Sequence, residues 1–299
     1  MPVNVIKLLF IINPGSGKNK KDWGKIFPAF FEDKPSFTIE LYDLPRDCEQ
    51  SLICKKIDDA QADIVVAVGG DGTVKLVAEC LQNKNTALGI IPGGSANGLA
   101  KELGIPEDPE KALELLLEGN LKRIHLTRIN DQLCIHLSDI GFNAYVVKKF
   151  EDGQSRGMWG YLKAAFRVIW QYQKMQVRIQ TDKEEVSRMA AMVVIANGTK
   201  YGNGVVINPL GSIYDNMFEV IVIRKISFRE ILKMRFSQKG FDPAKTEFFQ
   251  TRSLNIKSRH HVHFQVDGEV MRKTKSLKAD IQENALKIVV PKSNKNDKK

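Results

Sequence analysis

The chain has 299 residues, of which 43% are hydrophobic and 27% charged, with a formal charge of +10. That length suits two domains better than one core, the composition excludes a disordered chain, and no apolar run approaches the roughly 20 residues of a membrane span. The positive excess favours anionic partners: nucleotide, nucleic acid or an acidic membrane surface.

Residues 1–10 carry one Lys and no small-residue cleavage site, so no secretory signal is expected. Residues 5–12 are a continuous apolar run broken only by Lys7, as in a strand covered on both faces. The run ends in Asn13-Pro14-Gly15-Ser16-Gly17-Lys18. This is not a Walker A loop, because Ile12 stands where the first glycine is required and Asn19 where a Ser or Thr would bind magnesium. A polar glycine turn still offers phosphate its backbone N–H groups and the Ser16 hydroxyl. Residues 22–32 predict a helix that Pro28 bends or interrupts. Residues 37–41 predict a strand and 47–60 a second helix.

The apolar run 64–68 leads into Val68-Gly69-Gly70-Asp71-Gly72-Thr73 and a helix over 74–82. A strand, a glycine turn and a helix form the layout of a phosphate cradle at a helix N-terminus. Asp71 adds a carboxylate within reach of a metal ion. Taken alone, the hexapeptide also fits a tight turn with no ligand. Residues 87–91 predict a further strand, followed by Pro92-Gly93-Gly94-Ser95-Ala96-Asn97-Gly98. Ser95 is the expected cap of the next helix and Gly104 its end. Residues 108–117 predict another helix, with Leu113, Leu116 and Leu117 on one side. This alternation predicts a mostly parallel sheet flanked by helices, with ligands beyond the carboxyl ends of the strands. Three glycine loops fall at those ends.

From about Leu121 the pattern changes. Residues 122–129 and 132–138 read as strands joined by an Asn130-Asp131 hairpin. Residues 158–172 read as one long helix. Short strands are expected at 176–181, 189–196, 205–207, 218–223, 254–256, 262–266 and 286–290. The fold class is therefore α/β plus β. An α/β nucleotide-binding domain is expected over 1–123 and a mainly antiparallel β-sandwich over 124–291, with the active site in the cleft between the lobes. Residues 292–299 read as a basic disordered tail.

Cys48, Cys54, Cys80 and Cys134 lack Cys-x-x-Cys spacing and are expected to be reduced thiols of a cytosolic protein. His261 and His263 share a strand face and read as a surface pair rather than a metal site. Residues 224–259 hold ten Lys or Arg against three Asp or Glu. These basic stretches show no nucleic-acid-binding module and little aromatic interleaving, so nucleic acid is not expected as a partner.

The order and spacing of several motifs together resemble the diacylglycerol kinase-like lipid kinases, a group that includes bacterial diacylglycerol and phosphatidylglycerol kinases and sphingoid-base and ceramide kinases. The motifs are Asn13–Gly17, Gly69–Thr73, Pro92–Asn97, Gly141-Phe142-Asn143-Ala144, Asn197-Gly198, Tyr201-Gly202-Asn203-Gly204, Pro209, Asp215 and Val266-Asp267-Gly268-Glu269. The resemblance implies transfer of the γ-phosphoryl group of ATP to a lipid alcohol. It implies that Asn13, Pro14, Gly15, Ser16, Gly17, Gly69, Gly70, Asp71, Gly72, Thr73, Val74, Lys75, Gly94, Ser95 and Asn97 hold the nucleotide. Asp71 would act through Mg2+ or its waters, and Glu269 would be the general base. Asp215, with carbonyls near Ser212 and Met217, would hold the metal. Diacylglycerol or a related lipid is the acceptor it implies, at an anionic membrane surface bound peripherally from the cytoplasm. Self-association as a homodimer is left open.

The chain also departs from the family. Lys75-Leu76 stand where Asn-Glu is usual, Gly98 and Asn143 replace acids, Asn216 replaces a glycine, and Tyr42 stands where many members have a nucleotide-contacting Thr. Ser95 and Gly98-Leu99 lean toward the sphingoid-base version of the loop. Two other readings stay open: a soluble kinase of the NAD kinase and phosphofructokinase type, against which the Ser95–Asn97 loop and Asp267–Glu269 argue, and a non-catalytic nucleotide- or lipid-binding homologue.

Overall fold

In β1 (Ile6–Ile12) the last five side chains are buried, the pattern of a strand covered on both faces. The computed structural model that contains it describes residues 5–17, 21–47, 49–151, 172, 174–201, 205–227, 229 and 241–292. Cys48, the Gly202-Asn203-Gly204 stretch, the tail from 293, and the expected long helix apart from Tyr172 lie outside these residues. So does much of the basic stretch between 228 and 240.

After β1 come α1 (Trp23–Phe31), β2 (Phe37–Asp43), α2 (Gln50–Ala60), β3 (Ile64–Gly69), α3 (Asp71–Leu81), β4 (Ala87–Pro92), α4 (Gly98–Glu102), α5 (Pro109–Glu118) and β5 (Asn120–Ile129). Pro28 does not interrupt α1. It sits late in a short helix, where its missing N–H removes one intrahelical bond. Asp108 caps α5 by accepting from the Lys111 N–H at 3.1 Å. Gly104 ends α4 in the left-handed region at φ 70°, as expected. The expected cap Ser95 does not cap α4; Asn97 occupies the N-cap position. The chain spends two further residues closing the glycine loop before the helix starts.

The second half contains β6 (Gln132–Cys134), β7 (Leu137–Gly141), α6 (Phe142–Glu151), β8 (Met175–Thr181), β9 (Glu185–Ala190), β10 (Met192–Ala196), β11 (Lys200–Tyr201), β12 (Val205–Val206), β13 (Phe218–Ile223), β14 (Thr246–Thr251), β15 (Ser253–Val262), β16 (Phe264–Val266), β17 (Glu269–Val270) and β18 (Thr274–Val290). The expected strand over 189–196 is two strands. β9 pairs β8 and β10 pairs β7 and β13, so the chain changes sheets at Ala191. The Ala191 N–H bonds the Ile223 carbonyl at 2.8 Å.

The chain forms two compact units. One comprises residues up to Ile124 together with the stretch from Asn284 onward, and the other is His125–Glu283. In the first, β2-β1-β3-β4-β18 form a parallel sheet, which the Ile288↔Leu88 pairing completes. Phe10, Phe27, Val66, Ile91 and Leu113 fill its core, with Phe10 and Phe27 stacked at 4.3 Å.

In the second unit, β14-β13-β10-β7-β16-β17 form one antiparallel sheet, and β18, β15, β8 and β9 pair antiparallel in that order. Side chains from both layers, among them Ile140, Ile195, Val220, Val177, Ile256 and Leu277, make one sandwich core. Phe142 and Val146 of α6 cover the other face of the first layer, against Met192, Val194 and Ile221. That double cover explains why β10 and β13 are buried at every position.

Cys54 and Cys80 are joined by a disulfide between α2 and α3. This corrects the expectation of four reduced thiols. The helices pack together, and that proximity has no signature in a spacing of 26 residues. Cys134 stays a buried thiol, with Sγ 3.5 Å from Asp267 Oδ1.

Candidate functional site

The three glycine loops of the first unit pack on one another. Asn13 extends β1 by donating its N–H to the Val68 carbonyl at 2.9 Å. Its side chain accepts from the Gly15 N–H at 3.0 Å and donates to Thr73 Oγ1 at 3.1 Å, so the first loop is tied to the second. The Gly93 N–H donates to the Gly69 carbonyl at 2.7 Å, which ties the third loop to the second. Asn97, in the left-handed region at φ 50°, closes the third loop by accepting from the Gly94 N–H at 2.9 Å and donating to the Gly94 carbonyl at 3.0 Å.

Glycine is required where these backbones meet. A Cβ on Gly94 would lie 2.5 Å from Gly70 Cα, and one on Gly69 would lie 2.4 Å from Thr73 Oγ1. A Cβ on Gly72, by contrast, would meet nothing within 4 Å. The helix α3 starts at Asp71, three residues earlier than expected, so Asp71, Gly72 and Thr73 form its first turn. The Thr73 N–H is already taken by the Gly70 carbonyl at 3.0 Å, so it is the N–H groups of Asp71 and Gly72, at the positive end of the helix dipole, that a ligand could meet.

The other residues of this set fall in two groups. Asp71 and Ser16 are half-buried, while Pro14, Gly15, Gly17 and Ser95 are exposed. Thr73, Val74 and Lys75 are buried along α3, so the Lys75 side chain points into the protein rather than to solvent. Lys101 lies 3.3 Å from Glu107, in an ordinary surface ion pair. Tyr42 stands on β2 with Lys56 over its ring at 5.7 Å.

In the second unit, Glu269 opens β17 directly after a two-residue turn, with Val266↔Glu269 as the closing pair. Asp267 and Gly268 have φ of 52° and 88°, the conformation a tight hairpin turn demands. Glu269 itself is exposed. The Asp267 carboxylate is turned away from solvent and accepts from the backbone N–H groups of Ile135 at 3.0 Å, His136 at 2.9 Å and Leu137 at 3.2 Å.

Asp215 lies in the turn before β13, where its carboxylate accepts from the Met217 N–H at 3.2 Å and its own N–H reaches the Ser212 carbonyl at 3.4 Å. Strand register puts Asp215 and Glu269 at the same end of the sheet, through Glu219↔Ala196, Ala196↔Leu137, Ser138↔Val266 and Val266↔Glu269. Four strand spacings, roughly 19 Å, separate β13 from β17, so the aspartate is not brought beside the glutamate.

Among the described residues no group of three or more His, Cys, Asp or Glu could hold a metal ion. The Asp215 turn does offer a carboxylate and the Ser212 carbonyl, donor types that magnesium takes together with several waters. Burial pushes the nearby Glu219 carboxyl above its ordinary range, and the Asp215 charge pushes it further. A cation there would relieve that repulsion.

His261 is exposed, but His263 stacks on Tyr145 at 5.1 Å, which corrects the expected surface pair. Tyr145 belongs to α6, a helix that the sequence pattern after Gly141 did not predict. Phe142 and Tyr172, with Lys174, Ala191, Lys225 and Ile226, line a cavity of about 70 Å³ in this unit. The Tyr172 hydroxyl is held above its ordinary range, by burial first and the Asp139 charge second.

The comparisons bear on both units. Residues 7–129 match the family model of the diacylglycerol kinase catalytic domain, and residues 138–290 match that of the YegS C-terminal NAD kinase beta sandwich-like domain. The chain belongs to the diacylglycerol kinase-like lipid kinase family. It is 29% identical over 231 residues, 73% of either chain, to a probable YegS-like lipid kinase of Chromohalobacter salexigens. It is 24% identical over 272 residues, 87% of either chain, to a diacylglycerol kinase of Staphylococcus saprophyticus. A crystal structure from Bacillus anthracis, described as a candidate diacylglycerol kinase, superposes with a TM-score of 0.77 at 21% identity, covering 96% of this chain and 98% of that one. At that identity the superposition speaks for the fold.

Proposed function

We propose that the protein transfers the γ-phosphoryl group of ATP to the hydroxyl of a membrane lipid, diacylglycerol or a close relative. The observation that carries this reading is the packing of three glycine loops around the start of α3, with open space over Gly72. The loops' own hydrogen bonds fix the shape of the cradle, and the Asp71 and Gly72 N–H groups at the start of α3 suit a phosphate oxygen.

In the proposed reaction the lipid oxygen forms a bond to Pγ as the bond from Pγ to the β–γ bridging oxygen breaks and ADP leaves. The Glu269 carboxylate takes the hydroxyl proton. Phosphoryl transfer depends mainly on alignment and charge neutralisation, so one base and a rigid phosphate cradle account for most of what the chain must supply. Mg2+, when bound, would neutralise phosphate charge beside Asp71, which would orient the ion or its waters; an ion held by Asp215 with the Ser212 and Met217 carbonyls would instead brace the turn before β13, four strands from Glu269. Lys and Arg on the surface would hold the enzyme on anionic lipid from the side where ATP is present.

The test is labelled ATP with vesicles containing diacylglycerol, a sphingoid base or ceramide, with the product identified by mass spectrometry. Lipid phosphate is expected, with turnover reduced by about 100-fold or more in Glu269→Gln and by a similar factor in Asp71→Ala. ATP binding without transfer to any lipid in the panel would sink the reading in favour of a non-catalytic homologue.

A further inference from the structure

The turn that carries Glu269 is held by buried groups that no motif includes. Asp139, on β7, is fully buried. Its carboxylate accepts from Gln265 Nε2 at 2.6 Å, from Asn143 Nδ2 at 2.6 Å and from the Ala144 N–H at 2.9 Å. Gln265, on β16, faces Asp139 in register and is equally buried. Its Oε1 accepts from the Gly268 N–H at 2.6 Å. Ser138 Oγ donates to the Gln265 carbonyl at 2.6 Å, which holds the backbone of that strand.

The chemistry of this chain is directional. A carboxylate only accepts and a backbone N–H only donates, so the group between them must offer one donor and one acceptor. An amide of glutamine length does both. Asp139 thereby forces the Gln265 oxygen toward Gly268, and burial keeps water from substituting. The same carboxylate holds the start of α6, whose Phe142 lines the cavity.

We propose that Gln265, oriented by Asp139, is a positioning residue for Glu269, and that Asp139 sets the base and the start of α6 together. This rests on the reading of Glu269 as the base. Without the Gln265 bond the Gly268 peptide can rotate and the Glu269 carboxylate moves by about an ångström, enough to cost up to 100-fold in rate.

The experiment compares Gln265→Leu, Gln265→Glu, Glu269→Gln and the double variant Gln265→Leu/Glu269→Gln. Vesicles of total-lipid extract supplemented with dioleoylglycerol serve as acceptor. Gln265→Leu is expected to lower kcat by about 10- to 100-fold with KM for ATP within about twofold and a cooperative melt. The double variant is expected to be no slower than Glu269→Gln alone, because the effect runs through the base.

Gln265→Glu places a second carboxyl against Asp139. The pair ionises fully at high pH and shares a proton at lower pH, which restores one donor and one acceptor. Burial and like charge raise the upper pKa of the pair well above the ordinary carboxyl range, so the variant's kcat relative to wild type is expected to fall about tenfold or more as pH is raised from about 5.5 to about 10. Should Gln265→Leu not fold, this near-isosteric variant carries the test through that pH ratio. Wild-type kcat in Gln265→Leu, a further loss in the double variant, or a flat pH ratio overturns the proposal while leaving the base assignment intact. Full activity in Glu269→Gln, or no lipid labelling by wild type, overturns the base assignment and the proposal together.

Discussion

A Cβ on Gly94 would sit 2.5 Å from Gly70 Cα, and backbone cannot step aside as a side chain can. Gly94→Ala is therefore expected to spread the loops, lowering stability by about 1–3 kcal/mol and weakening ATP binding by about 10-fold or more. A denaturant melt and titration with a fluorescent nucleotide read the two effects. Normal nucleotide affinity in Gly94→Ala would show that the loops can separate without loss. Positions of this kind were legible in the sequence, because a close backbone approach demands glycine whatever surrounds it. Asp267-Gly268 was legible too, as a hairpin turn. Asp139 and Gln265 were not: they lie 126 residues apart and acquire their meaning only from strand register.

Two cross-links between elements carry their own predictions. The Cys54–Cys80 bond closes a loop of 26 residues that includes β3 and the Gly69–Thr73 turn. A loop of that size implies about 3 kcal/mol of stabilisation in the oxidised form. Dithiothreitol is expected to lower the denaturation midpoint of wild type and leave Cys54→Ser unchanged; equal shifts in both would exclude the bond as the cause.

Glu247 on β14 bridges Arg188 at 2.6 Å and Arg224 at 3.0 Å. The bond to Arg188 first, with Arg224 assisting, holds its carboxyl down to about 2. A carboxyl lowered in the folded state stabilises above its unfolded value near 4.5 and loses that contribution as pH falls toward 2. Arg188→Ala is expected to cost about 1 kcal/mol at pH 7, and progressively less toward pH 2. Urea melts at the two pH values measure this, and a deficit that stays constant with pH would point to lost packing instead. Helix and strand periodicity foretold most elements of the first unit. In the second half it missed α6, most of β9, the short β11 and β17, β14 and the first two-thirds of β18, where polar alternation and short strands obscured the pattern.

At the scale of the whole chain, β18 belongs to both units. Its last residues, Ala285, Leu286, Ile288, Val289 and Val290, are buried, and Ile288 pairs with Leu88. Burying the Leu286, Ile288, Val289 and Val290 side chains is worth roughly 6–12 kcal/mol, comparable to a domain's whole stability. A fragment ending at residue 124 is therefore expected to be unfolded, and one with 284–292 joined through a short linker to fold; circular dichroism and melting distinguish them. A cooperative melt in the shorter fragment would contradict this.

The change of sequence pattern marks an end of the first domain at residue 123. The return from 284 leaves no such mark, since an apolar run does not name the strand it will pair with. The three glycine loops, the family and the hairpin bearing Glu269 were determined by the sequence alone, because each depends on local backbone demands and the order of motifs. The tertiary structure alone decided which loops touch, which cysteines bond, and that Asp139 and Gln265 stand behind the Glu269 turn. Those facts depend on strand register and helix packing, which join residues far apart in the chain and leave no trace in its local pattern.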